Sequence, residues 1–148
     1  MRSRLLVGIL GFIAGAGWFF TVDAQPARRY IAPRSAADPA AAKQPPFSGA
    51  VLAGDTLYVS GVLGTGDNAE AAATAALTSV QNNLKAAGMT MDDLVSVQIF
   101  TPDVANYDAF NKVYRTFFKQ EYPARAFLGS GPLLNNARFE VMGIAVRR

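Results

Sequence analysis

The segment Leu94-Val95-Ser96-Val97-Gln98-Ile99-Phe100-Thr101-Pro102-Asp103 holds a complete change of secondary structure. Leu94 to Thr101 is β-like, Pro102 breaks the strand by withdrawing a backbone donor, and Asp103 offers a side-chain cap for a helix reaching about Phe118. Tyr107, Phe110, Tyr114 and Phe117 fall on one face of that helix and read as core packing. Downstream, Tyr122-Pro123-Ala124-Arg125-Ala126-Phe127 ends the helix, because Pro123 fixes its own φ and pushes Tyr122 out of the helical region. Arg125 is thereby presented on extended chain. Ala126 to Gly129 and Phe139 to Val146 are strand candidates, separated by the turn-rich Ser130-Gly131-Pro132 and Asn135-Asn136.

Upstream lies a second helix with strands before it, though the sequence holds no convincing internal repeat. Ala73, Leu77, Val80, Leu84 and Ala87 recur at helical spacing, so Ala69 to Ala87 reads as a helix with Gly88 as its stop. Before it, Gly49 to Leu52 and Leu57 to Ser60 flank Ala53-Gly54-Asp55-Thr56 in a hairpin pattern, and Gly61 to Asp67 reads as a glycine-spaced loop. Its glycines match neither a Walker loop nor a dinucleotide fingerprint. Two helices alternating with at least four strands define an α+β domain, one mixed sheet with both helices packed on a single face. The other face, apolar as well, calls for a partner.

Residues 1–24 read as an export signal: Arg2 and Arg4 start it, Leu5 to Phe20 is apolar, and Val22-Asp23-Ala24 offers small-residue cleavage chemistry. The apolar stretch is shorter than the roughly 20 residues that span a bilayer. The protein is therefore expected to be periplasmic or secreted, and off the membrane once the signal is removed. Residues 25–45, rich in Ala, Pro and Arg, read as a tether with a short extended piece at Arg29-Tyr30-Ile31, and 46–148 as the domain.

The chain has no cysteine and no histidine. That removes thiolate nucleophiles, His-based triads, thiolate and imidazole metal sites, and the usual proton shuttle of neutral pH. The net charge of +3 is no nucleic-acid signature. Arg125 stands out instead, because a guanidinium presented on extended chain can grip a carboxylate with two charge-assisted hydrogen bonds. The plainer reading pairs it with an acid such as Glu140.

Six stretches in order, Pro46-Phe47-Ser48-Gly49-Ala50-Val51, Tyr58-Val59-Ser60-Gly61, Asn82-Asn83-Leu84-Lys85-Ala86-Ala87-Gly88, Asn111-Lys112-Val113-Tyr114, Pro123-Ala124-Arg125 and Glu140-Val141-Met142-Gly143-Ile144-Ala145, resemble the reactive intermediate deaminase (RidA, YjgF-like) family. The resemblance runs from about Tyr30 to Val146. It implies a chorismate-mutase-like subunit, a homotrimer with pockets between subunits, and hydrolysis of 2-imino or enamine acids to 2-oxo acids and ammonia. It implies neither cofactor nor metal.

On this resemblance Arg125 holds the substrate carboxylate, Gly61 orients the ligand through its backbone, Asn111 lines the pocket and the Phe127 main-chain N–H meets the carboxylate. Other positions depart from the pattern. Phe47 walls the pocket but lacks the hydroxyl of a frequent tyrosine, Gly49 and Val62 replace frequent glutamines, and Met142 stands where a water-handling glutamate is expected. Glu140 lies two residues from Met142 and so faces the same side of its strand. It is the substitute candidate for that water, or else a charge balanced by Arg138, Arg125 or a neighbouring subunit's basic residue. Two functions follow: a RidA-like hydrolase with Arg125 and Glu140 as its catalytic residues, or a non-catalytic trimer that binds a small carboxylate or a partner protein. A ribonuclease, a label some relatives carry, finds no histidine pair and no basic patch interleaved with exposed aromatics.

Overall fold

The structure is a computed structural model that describes residues 27–33, 45–119 and 121–148. The expected export signal lies outside the described residues. Strand β1 (Arg29–Ile31), β2 (Ala50–Ala53), β3 (Thr56–Gly64), helix α1 (Ala69–Ala86), β4 (Leu94–Thr101), helix α2 (Tyr107–Tyr114), β5 (Ala124–Gly129) and β6 (Phe139–Val146) follow in chain order. The strands form one sheet in the order β1-β2-β3-β6-β4-β5, antiparallel throughout except for the parallel β4–β5 pair. This is the mixed α+β sheet expected from the alternation of periods.

Helix α1 begins where the Asn68 side chain accepts the Ala71 N–H at 2.9 Å. It ends in a Schellman turn. Gly88, at φ 75°, supplies the left-handed residue, while the Gly88 and Met89 N–H groups donate to the Lys85 and Leu84 carbonyls, each at 2.9 Å. Arg29 and Arg147 donate to the last carbonyls, Ala86 and Ala87, at 3.1 and 2.9 Å. The buried face of α1 is Ala72, Ala73, Ala76, Leu77, Val80 and Leu84. Each large apolar chain there contributes roughly 1.5–3 kcal/mol.

Helix α2 is shorter than the expected run to Phe118. A 3-10 turn at Val104–Asn106 precedes it, capped by Asp103 at 3.0 Å, and a second at Arg115–Phe117 follows. The tightening is local, at the two ends where intrahelical partners run out.

The first half of the glycine-spaced stretch, Gly61 to Gly64, proves to be strand, and Thr65 to Asp67 is loop as expected. β3 continues through Gly61 to Gly64, and a register shift between Val59 and Val62 accommodates the extra residue against β6. Strand glycines mark such irregularities as readily as loops do. Gly64 permits a close approach: a Cβ there would run into the Ala72 carbonyl of α1 and meet the Ala76 methyl at 3.0 Å. Gly64→Ala is therefore expected to lower stability by about 1–3 kcal/mol in denaturant unfolding. Gly131→Ala, where nothing lies within 4 Å, should change it little; equal effects at the two positions would refute the close-packing account.

Candidate functional site

Arg125 is on β5, in register with Val97 of β4. Val97 is 2 % exposed, so Arg125 leaves the sheet on the helix side. There it meets one stripe of α2, because Tyr107, Asn111 and Tyr114 are spaced i, i+4, i+7. Arg125 Nη1 donates to Asn111 Oδ1 at 2.7 Å, and Nη2 donates to the Tyr107 hydroxyl at 3.4 Å. The guanidinium carbon lies 4.8 Å from the Tyr114 ring centroid and 5.7 Å from that of Tyr107. Among the described residues no carboxylate pairs with Arg125. Its charge is held by neutral groups.

Asn111 is buried and serves first as the acceptor that aims the guanidinium. Phe127 faces the same side, its ring 5.1 Å from Tyr107, 5.7 Å from Phe110 and 6.4 Å from Phe139. Its main chain lies on β5, an edge strand with one row of backbone groups left outside the sheet.

Glu140 lies elsewhere. It is in register with Phe100 of β4, three residues from Val97 and so on the opposite face of the sheet. Two strand spacings, ~10 Å, add to that separation. Within the chain Arg125 and Glu140 are therefore not brought together. Glu140 lines a cavity of about 920 Å³ together with Phe47, Gly49, Gly61 and Val62. Gly61 makes room for it, since a Cβ there would run into the Glu140 carboxylate.

Among the described residues Glu140 forms no ion pair. Arg138 instead donates to the backbone carbonyls of Gly66 and Asp67, each at 3.4 Å. The two charge partners considered within the chain, Arg138 and Arg125, are thus both engaged elsewhere. Met142 shares the Glu140 face and is 38 % exposed.

The chain thus carries two separate clusters: one of Arg125, Asn111, Tyr107 and Tyr114, and an open one of Phe47, Gly61 and Glu140. Sequence reasoning missed Tyr107 and Tyr114 as neighbours of Arg125, taking them for core. Their spacing around Asn111 was the signal.

Residues 36–147 match the family described as Endoribonuclease L-PSP. The chain is 36 % identical over 111 residues to a Capra hircus protein named 2-iminobutanoate/2-iminopropanoate deaminase, covering 69 % of this chain and 80 % of that one. A Dermatophagoides farinae protein of the same name is 34 % identical over 109 residues, covering 68 % and 85 %. Among solved structures, yeast Mmf1 matches with a TM-score of 0.70 at 28 % identity over 82 % of this chain and 100 % of that one. The Escherichia coli YjgF gene product matches with 0.67 at 26 %, over 70 % and 89 %. The chain belongs to the RidA/YjgF family, known also as the L-PSP family.

Tyr114 is 3 % exposed and its hydroxyl, buried, has no hydrogen-bond partner. Burial pushes its pKa from the usual 10.0 up to about 12, against the pull of nearby Arg125. Below the ordinary value both folded and unfolded chains keep the proton. Between the two values the unfolded chain releases it first, so stability falls by about 2–3 kcal/mol as pH rises through that window. Tyr114→Phe should flatten this alkaline loss without lowering stability near neutral pH, since no hydrogen bond is removed. Urea unfolding near neutral pH and at about pH 11 checks it; an unchanged alkaline loss would exclude Tyr114 as the source.

Proposed function

We propose that the protein is a RidA-type deaminase of small 2-imino or enamine acids, acting as a homotrimer outside the cytoplasm. The observation that carries this reading is the Arg125 guanidinium, aimed by Asn111 and two tyrosines with no carboxylate of the described chain upon it. A charge left in that state favours an incoming anion, and a planar guanidinium matches a carboxylate in particular.

The exposed apolar side chains of the open sheet face, Tyr58, Met142, Ile144 and Val146, support association through that face. A trimer would set the Arg125 half-site of one subunit against the Phe47–Gly61–Glu140 half-site of its neighbour. The substrate carboxylate then lies on Arg125, with the Phe127 N–H beside it and the Gly61 backbone orienting the ligand.

Water adds its oxygen to the imine carbon and a proton goes to the nitrogen. The resulting carbinolamine loses ammonia as the C–N bond breaks and the 2-oxo acid forms. Glu140 is the carboxylate on hand to orient that water. Proximity on the bound, desolvated imine supplies the rest of the acceleration. Export follows from the basic start and apolar stretch of residues 1–24.

A second reading rests on Met142, whose thioether cannot take a proton. Under it the trimer binds a small carboxylate or a partner without turning anything over. The endoribonuclease of the family description gains nothing from this chain, which has no histidine to move protons.

The purified protein should release ammonia from freshly generated 2-iminopropanoate faster than buffer does. Arg125→Ala should abolish the acceleration and carboxylate binding while leaving the trimer assembled; a rate equal to buffer from an assembled trimer sinks the deaminase reading. Met142→Glu should raise the rate by about tenfold or more if the water-handling group is what limits it. No gain in a folded variant favours the binding protein.

A further inference from the structure

The cavity at Glu140 is large for a substrate whose side chain is a single methyl group. Its volume of about 920 Å³ lies near the upper end of the roughly 300–1,000 Å³ that enclose drug-sized ligands. Several polar groups in its wall are already engaged. The Ser60 hydroxyl donates to the Ser48 carbonyl at 2.7 Å, that of Ser79 to Ala75 at 3.0 Å, and the Asn83 amide to Gly49 at 3.2 Å.

Around them the wall presents Ile31, Phe47, Val62, Leu63 and Leu134. Among the described residues lining the cavity none is basic, and Glu140 alone is acidic. Leu134 is 78 % exposed, on a turn whose next two residues, Asn135 and Asn136, are left-handed at φ 55° and 53°. Asparagine tolerates that conformation, and the turn holds Leu134 at the cavity rim. An apolar group seated beside it would remove leucine surface from water, whereas a second carboxylate, beyond the one held by Arg125, would meet Glu140 and find no cation among the described lining residues.

We propose that this cavity receives the side chain of a branched-chain or aromatic 2-imino acid, so that the preferred substrates are bulky and apolar and acidic ones are rejected. The assignment rests on the deaminase reading for its chemistry, and on the cavity wall alone for its selectivity.

Stable 2-oxo acids separate the two. Calorimetry on the full chain with pyruvate, 4-methyl-2-oxopentanoate, phenylpyruvate and oxaloacetate should give the two bulky apolar acids about tenfold or more tighter binding than pyruvate, and oxaloacetate the weakest. Imines generated in place from alanine, leucine and phenylalanine should follow the same order in kcat/KM. Leu134→Asp should weaken the bulky acids severalfold more than pyruvate, and with Leu134 so exposed the fold does not depend on it.

Equal affinities, a preference for pyruvate, or an unchanged preference in folded Leu134→Asp would overturn the cavity assignment. Preferential binding of the bulky acids with no acceleration of any imine would overturn the deaminase reading and leave the assignment standing. Hydrolysis fastest with the alanine-derived imine would do the reverse.

Discussion

Strand β6 runs between β3 and β4, and its two-residue alternation decides what each face of the sheet does. Phe139, Val141 and Ala145 are almost fully buried, while Glu140 is half-buried and Met142, Ile144 and Val146 are exposed. Because β6 is hydrogen-bonded on both sides, its register is fixed twice. A slip of one residue would put Glu140 into the core and Val141 into water. Glycine at 143 completes the strand, since a Cβ there would meet the Ser96 carbonyl oxygen at 2.9 Å. Core, open face and both half-sites therefore share one register.

Arg125 shows how a charge is kept available. A half-buried guanidinium loses hydration, and an acid of its own chain would restore the balance while neutralising the charge. The protein uses Asn111 and the faces of Tyr107 and Tyr114 instead. A carboxamide acceptor and aromatic quadrupoles stabilise a cation by about 0.5–2 kcal/mol per ring without cancelling it. The unpartnered Tyr114 hydroxyl is the counterweight: its ring serves both the Arg125 contact and the stack on Phe110, at 5.8 Å, while its polar end goes unsatisfied.

What was legible in the sequence is what local chemistry decides. The stripe of α1, its stop at Gly88, the break at Pro102 and the extended entry to Arg125 each depend on residues a few positions apart. The turn at Gly54, with φ 62°, is of the same kind. What was not legible depends on pairing across the chain. Gly61 reads as loop until β6 is known to lie beside it, and Arg29–Ile31, read as a short extended piece of a tether, is joined to the sheet by its ladder with Ala50–Leu52. The placement of Arg125 and Glu140 on opposite faces likewise follows from which β4 residue each is in register with. No local pattern carries that information.

Gly61 and Glu140 form a coupled pair for the same reason. The bulge that admits Gly61 to β3 brings its Cα against the Glu140 side chain, and the absence of a Cβ lets the carboxylate keep this position. The backbone groups expected to orient a ligand and the one acid of the cavity are thus set by a single contact. Met142 has no such restraint: it lies two residues farther along β6, more exposed, and cannot exchange a proton. Glu140 keeps its charge unspent among the described residues, because Arg138 is engaged by the backbone of Gly66 and Asp67. The Glu140 carboxylate on one face and the Arg125 guanidinium on the other do not meet within one chain, and the proposed homotrimer is the arrangement that would bring them together.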